Sequence, residues 1–163
     1  MRKVKRIQTE ALASLSHDAA GSPRRRCNLN LHPELADPVQ RLLIAIEPGS
    51  YVRPHRHGQP AKWELFVILA GRLAVLVFDA EGRVLERDEL AAGGATRIAE
   101  IPPGAWHSVA ALEPGTVLFE VKPGPYAPLA DKDFAAWAPA EGDAGAAALA
   151  ERIARARVGE LLG

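Results

Sequence analysis

Short apolar runs recur along the middle of the chain, each closed by Gly or Pro. Val39–Ile46 (VQRLLIAI) ends at Pro48-Gly49, and Leu65–Ala70 (LFVILA) ends at Gly71. Arg72–Phe78 (RLAVLVF) ends in the turn Asp79–Gly82. All three are short and rich in Val, Ile, Leu and Phe, which predicts buried strands rather than helices. Weaker strand patterns follow in Arg83–Leu90, Thr96–Ile101, Trp106–Leu112 and Thr116–Lys122, the last two joined across Glu113-Pro114-Gly115. Short strands punctuated roughly every 8–12 residues by turn residues predict a sandwich or barrel of about eight or more strands.

Helical pattern is confined to the ends. Thr9 is placed to cap a helix running to about Ala19, with Leu12 and Leu15 on one side. Asp143 is placed to cap a last helix to about Leu162, with Leu149, Ile153 and Leu161 as its apolar stripe. Lys3–Gln8 alternates weakly and predicts an edge strand. Gly21–Arg26 predicts a loop, and His32 before Pro33 disfavours helix there. Pro123, Pro125 and Pro128 make Lys122–Asp133 a loop laid over the fold.

The chemistry concentrates in Gly49–Gly71, GSYVRPHRHGQPAKWELFVILAG. His55 and His57 are one residue apart, so on an extended segment both imidazoles face one way. With Gly58–Lys62 as a hairpin turn, Glu64 would stand beside them. Ile101–Val109 (IPPGAWHSV) adds His107 after a Pro-Pro-Gly turn. Three imidazoles and a carboxylate, His55, His57, Glu64 and His107, suit one divalent transition-metal ion: Zn, Fe, Mn, Ni, Co or Cu. His17 and His32 fall outside these motifs and are not expected as ligands.

These residues resemble the two cupin motifs. Gly49, His55, His57, Glu64 and Gly71 match the first, and Pro102, Gly104 and His107 match the second. The gap from His57 to Glu64 is longer than usual, and Thr96 and Ala111 stand where the second motif has Gly and Asn. From about Asn28 to Asp143 the chain resembles the WbuC-type cupin-fold metalloproteins. Phrases such as NLNLHPELADPVQRLLIAIEPGSYVRPHRH and FEVKPGPYAP carry that resemblance. It implies an all-β fold, a cupin-type antiparallel β-barrel (jelly roll), with short N- and C-terminal helices. It also implies a metal, an association with bacterial O-antigen and other surface-polysaccharide loci, and pairing into a homodimer. The expected division is an arm and short helix over 1–27, the barrel over 28–128, and a loop and helix over 129–163.

Further pocket candidates follow from parity and position. Tyr51 and Arg53 share parity with the histidine pair and face inward on an unbroken strand; a kink at Pro54 would turn Arg53 out. Glu120 and Lys122 share parity on the last strand. Alternation alone puts Val117, Phe119 and Val121 inside instead, while the family phrase favours Glu120 and Lys122. Trp63 and Trp106 flank ligands and would close the barrel mouth or stack on a sugar ring. Tyr126 would hang over the mouth.

Composition narrows the function classes. Lys+Arg and Asp+Glu are 20 each in 163 residues, so overall charge argues for no nucleic acid partner. The basic residues Arg2, Lys3, Lys5, Arg6, Arg24, Arg25 and Arg26 gather near the start. They read as a solvated edge. Cys27 is the only cysteine, which excludes an intrachain disulfide and suits a reducing, cytoplasmic setting. No apolar run reaches the roughly 18 residues of a membrane span, and no signal-like stretch follows the basic start. Three classes remain for a small-molecule ligand. They are a metal-dependent enzyme on a sugar or other oxygen-rich anion, an Fe-dependent oxygenase, and a non-catalytic binding or regulatory cupin.

Overall fold

The computed structural model describes residues 4–163. Its elements are α1 (Thr9–Gly21), β1 (Arg26–Asn30), β2 (Val39–Ile46), β3 (Glu64–Ala70), β4 (Arg72–Phe78), β5 (Val84–Ala91), β6 (Ile98–Ile101), β7 (Trp106–Ala111), β8 (Thr116–Pro123) and α2 (Ala146–Arg155). Five strands form one sheet in the order β1-β2-β8-β3-β6, and three form another in the order β5-β4-β7. Every pairing is antiparallel. The fold is the cupin-type jelly roll: two facing sheets rather than a ring of strands closed by hydrogen bonds.

The two sheets bury one shared core. Ile46, Phe66, Ile68 and Leu118 come from the larger sheet, and Leu73, Val75, Leu90, Val109 and Ala111 from the smaller. The opposite faces are buried as well. Leu43, Ala45 and Val117 pack under α1 through Leu15 and Ala19. Ala74, Leu76, Phe78 and Ala110 pack under α2 and the C-terminal segment, through Leu149, Ala150, Ile153 and Leu162. Each strand of β2, β4, β7 and β8 is therefore apolar on both sides, which explains the unbroken apolar runs in the sequence.

One residue, Gly71, carries the chain from β3 in the larger sheet to β4 in the smaller. Its φ is +69°, and a Cβ there would lie 2.8 Å from the Thr116 Cα. The fully buried Thr116 hydroxyl ties this corner, donating to the Glu113 carbonyl at 2.7 Å and accepting the Arg72 N–H at 3.2 Å. Only glycine meets both demands.

Several sequence expectations are corrected. Residues 4–8 form no strand, and Arg2 and Lys3 of the basic start lie outside the described residues. Arg26–Asn30, whose first residue closes the expected loop, forms β1 because β2 offers it an open edge. The last helix stops at Arg155, since Ala156 turns extended. The segment after it binds the smaller sheet instead: Val84 N–H donates to Glu160 O at 2.8 Å, and Leu162 N–H to Gly82 O at 2.9 Å. Asp143 accepts from Ala140 N–H within its own turn, and Gly145 occupies the N-cap of α2.

The Gly71 corner predicts a graded effect of alanine. Gly115 also has positive φ, +73°, but open space within 4 Å of where a Cβ would stand. Gly115→Ala is expected to cost about 1 kcal/mol from backbone strain. Gly71→Ala adds a backbone collision and is expected to cost several times that, about 3 kcal/mol or more. Urea unfolding of both variants checks the difference, and equal losses would contradict this account.

Candidate metal centre

The site is stitched from both sheets. His107 is the second residue of β7 and points into the interior with Val109 and Ala111. His55 lies in an irregular segment that pairs with β7 at one point: His55 N–H donates to His107 O at 3.0 Å and His107 N–H to His55 O at 2.8 Å. The expected strand through His55 and His57 is thus reduced to isolated bridges at His55, to His107 and to Phe134. Glu64 enters from the larger sheet as the first residue of β3, paired with Ile101 of β6 and not with the histidines. The hairpin turn exists only as a Gly58–Ala61 bridge and a 3.4 Å bond from Lys62 N–H to His57 O.

His55, His57, Glu64 and His107 each present one ligand atom, and these atoms lie within 4.8 Å of one another. Two of the rings are oriented by the backbone. Nδ1 of His55 lies 2.9 Å from the Arg53 carbonyl, and Nδ1 of His107 lies 3.0 Å from the Ala105 carbonyl. A hydrogen on each Nδ1 leaves each Nε2 as a lone pair turned inward, the arrangement seen in histidine metal ligands.

Donor arithmetic then tests whether an ion fits. Nε2 of His107 is 2.8 Å from Glu64 Oε2, and Nε2 of His57 is 2.8 Å from Glu64 Oε1. His107 therefore faces an acceptor at both nitrogens, and a ring with one hydrogen satisfies only one of them. A cation between Nε2 and the carboxylate satisfies the second. Glu64 is 2% exposed, so its charge needs positive partners. The residues present fit a divalent ion.

Lys122 supplies one such partner from β8, 2.8 Å from Glu64 Oε1 and 2.7 Å from Glu120 Oε1. Burial alone would raise the Glu64 carboxyl. With no ion bound, Nε2–H groups of His107 and His57 would donate to it instead, and with the Lys122 ammonium they hold it well below the usual range. Burial pushes Glu120 upward, and the Glu64 charge adds to that. Burial opposes the Lys122 charge, but Glu120 and Glu64 outweigh it and raise the ammonium. His55 is pushed down to about 3, by burial first and by His107 second, so it stays neutral and able to donate its lone pair.

The centre opens on a cavity of about 500 Å³ between the sheets. Glu120, Lys122, Glu64, His55 and His107 line it together with apolar Ile44, Ile46, Phe66, Val109 and Leu118. Tyr126, half exposed, stands where this cavity meets a second one of about 370 Å³ bounded by the loop Pro123–Leu129. Glu120 and Lys122 thus point inward. Alternation misled because Val117 and Phe119 are buried too, against α1.

Three candidates are corrected. Arg53 donates to the Ala138 carbonyl at 3.1 Å and lies 4.8 Å over the Phe134 ring, turned out of the cavity at Pro54. Tyr51 faces the same way, its hydroxyl on the Pro139 carbonyl at 2.9 Å. Trp106 packs on the outer core under the C-terminal segment, with the Arg56 guanidinium 4.4 Å over its ring. Two residues the motifs passed over line the cavity instead, His32 and Gln40. Both are buried, and no spacing rule marks them, because their place follows from strand pairing alone.

Removing one ligand should remove the ion. His57→Ala is expected to abolish stoichiometric metal in protein purified without chelator, and full metal content by plasma emission spectroscopy would refute the assignment. A second expectation concerns acid. In metal-free protein His55 stays neutral to about pH 3, whereas an unfolded histidine takes up a proton near pH 6.5. Stability from this group is therefore present above about pH 6.5 and lost as pH falls toward 3, at about 1.4 kcal/mol per pH unit. Chelated His55→Gln should show a shallower loss between pH 6 and 4 in urea titrations, and parallel slopes would contradict the shift.

The fold has relatives among solved structures. A conserved protein of unknown function, SPY1581, from Streptococcus pyogenes superposes with a TM-score of 0.51 at 14% identity, covering 78% of this chain and 93% of that one. KdgF from Halomonas sp. gives 0.49 at 19% identity over 65% and 84%. A cupin superfamily protein from Desulfitobacterium hafniense gives 0.47 at 16% identity over 60% and 76%. No curated protein matches the sequence. No helix of the described residues is long and apolar enough to cross a membrane. A family model spans residues 7–90, just over half of the chain, and takes in His55, His57 and Glu64 but stops before His107. On that match the chain, with a His/Glu cluster able to hold a metal ion, belongs to the family described as Domain of unknown function (DUF6016).

Proposed function

We propose that this protein is a metal-dependent enzyme acting on a small, oxygen-rich anion such as a sugar acid or sugar phosphate. The observation that carries it is the charged row Lys122–Glu64–Glu120 set beside the four-ligand cluster in a cavity of mixed polar and apolar lining. Volumes of this size suit small-molecule ligands. A divalent ion held by His55, His57, Glu64 and His107 supplies Lewis acidity to a ligand oxygen.

The chain's own residues set the preference. At the site itself Glu64 and Glu120 face one ammonium, Lys122, and Arg24 and Arg26 line the same cavity. A divalent ion would turn the balance at the site positive. Lys122 then orients a ligand carboxylate or phosphate, and Tyr126 closes the rim. Glu120 has a carboxyl pushed upward by burial, which suits it to hold and pass a proton. That group favours turnover over simple binding. The resemblance to WbuC-type proteins supports a substrate from bacterial surface-polysaccharide synthesis and a homodimer joined at sheet edges, and the lone Cys27 suits a cytoplasmic setting.

Calorimetry tests the reading. Metal-loaded protein should bind small sugar acids, chelated protein should not, and Lys122→Ala should weaken binding at least about tenfold, the worth of one charged hydrogen bond. Arg53→Ala should leave affinity unchanged, since Arg53 faces away. Binding that survives both chelation and Lys122→Ala would refute this function.

A further inference from the structure

Strand register lines up an inward-facing row across the larger sheet. Gln40 of β2 pairs with Lys122 of β8, and Leu65↔Val121 places Lys122 next to Glu64 of β3. On the other side of β2, Leu31 N–H donates to Arg41 O at 2.8 Å, which continues β1 and sets His32 beside Gln40. The row reads His32, Gln40, Lys122, Glu64. At about 4.8 Å between neighbouring strands, its two ends are separated by about 14 Å of sheet. His32, Gln40, Lys122 and Glu64 all line the same cavity.

His32 is 5% exposed, and its Nε2 is buried without a partner among the described residues. Its Nδ1 lies 3.0 Å from both the Arg41 N–H and the Arg41 carbonyl. Accepting from the first leaves a hydrogen on Nε2, and donating to the second leaves a lone pair there. Either way the cavity end holds an unanswered polar nitrogen. Gln40 is 2% exposed and spends its amide nitrogen on the Leu35 and Asp37 carbonyls at 3.2 and 2.9 Å. What it has left is its carboxamide oxygen, an acceptor. A buried polar atom left unanswered costs free energy, so such a pair implies a ligand group.

We propose that His32 and Gln40 form a second, distal subsite of the cavity that reads a hydroxyl group. A hydroxyl both accepts and donates, so it answers Nε2 in either tautomer, and its own hydrogen suits the Gln40 amide oxygen when Nε2 carries one. A carboxylate or phosphate has no hydrogen for Gln40, so the distal end selects an uncharged oxygen. The ligand is then a polyhydroxylated acid: its anionic end lies at the ion and Lys122, and a hydroxyl several bonds away lies at His32. This rests on the reading above and names its substrate class more narrowly.

The test uses metal-loaded full-length protein and three probes. Glycolate is too short to reach His32, gluconate carries hydroxyls along its whole chain, and sorbitol is a neutral polyol. His32→Asn keeps an acceptor for Arg41 N–H but lacks the distal nitrogen, and His32→Gln restores a nitrogen near the Nε2 position. The expected result is about a tenfold loss of gluconate affinity in His32→Asn, unchanged glycolate affinity, and recovery in His32→Gln. Equal loss for both acids, or loss for neither, overturns the subsite. Imidazole nitrogen NMR follows His32 directly. Its Nε2 resonance should move with gluconate and sorbitol but not with glycolate. A response to sorbitol with neither acid bound sustains the subsite and refutes only the anion reading. No response to either polyol overturns the subsite.

Discussion

Glu64 is the constraint around which the interior is arranged. A carboxylate buried to 2% exposure is tolerated only if positive or hydrogen-donating groups surround it. Those groups come from far apart in the sequence. His57 approaches from the irregular segment, His107 from β7 and Lys122 from β8, each at 2.8 Å. The jelly roll is what brings them together, since β3 and β8 are neighbours in one sheet while β7 belongs to the other. An ion at this point neutralises the carboxylate and answers the second nitrogen of His107 at once.

The two helices have an indirect part in this. By covering the outer faces of both sheets, α1 and α2 allow strands that are apolar on each side. Inward positions near one end of β2, β3 and β8 are then free to be polar without turning that face toward solvent. The result is a cavity with an apolar floor at Ile46, Phe66 and Leu118 and a polar row above it. Orientation of any ligand follows from that division, because its carbon face and its oxygens meet different walls.

The C-terminal segment holds the histidine-bearing segment from outside. Phe134 bridges to His55, Ala138 takes the Arg53 guanidinium, and Pro139 takes the Tyr51 hydroxyl. Glu141 binds Arg24 and Arg26 at 2.7–2.9 Å and so ties the same segment to the start of β1. Arg53 thus serves as a buttress behind His55, a position opposite in effect to lining the pocket.

Sequence alone determined the strand-rich class, the four-residue cluster and the helices near the ends, because these rest on local signals. Short apolar runs between Gly and Pro, histidines at i and i+2, and a glycine at each corner are readable without knowing what lies opposite. Sidedness was not readable in the same way. Val117 and Glu120 alternate as they would on a half-solvated sheet, yet α1 buries the first and the cavity claims the second. Arg53 shares parity with His55, yet Pro54 breaks the strand between them and reverses its face. His32 and Gln40 carry no motif; only the pairing of β1, β2 and β8 sets them in line with Lys122 and Glu64. Tertiary structure decided these points because a side chain's face is fixed by what packs against its strand, and that partner lies elsewhere in the chain.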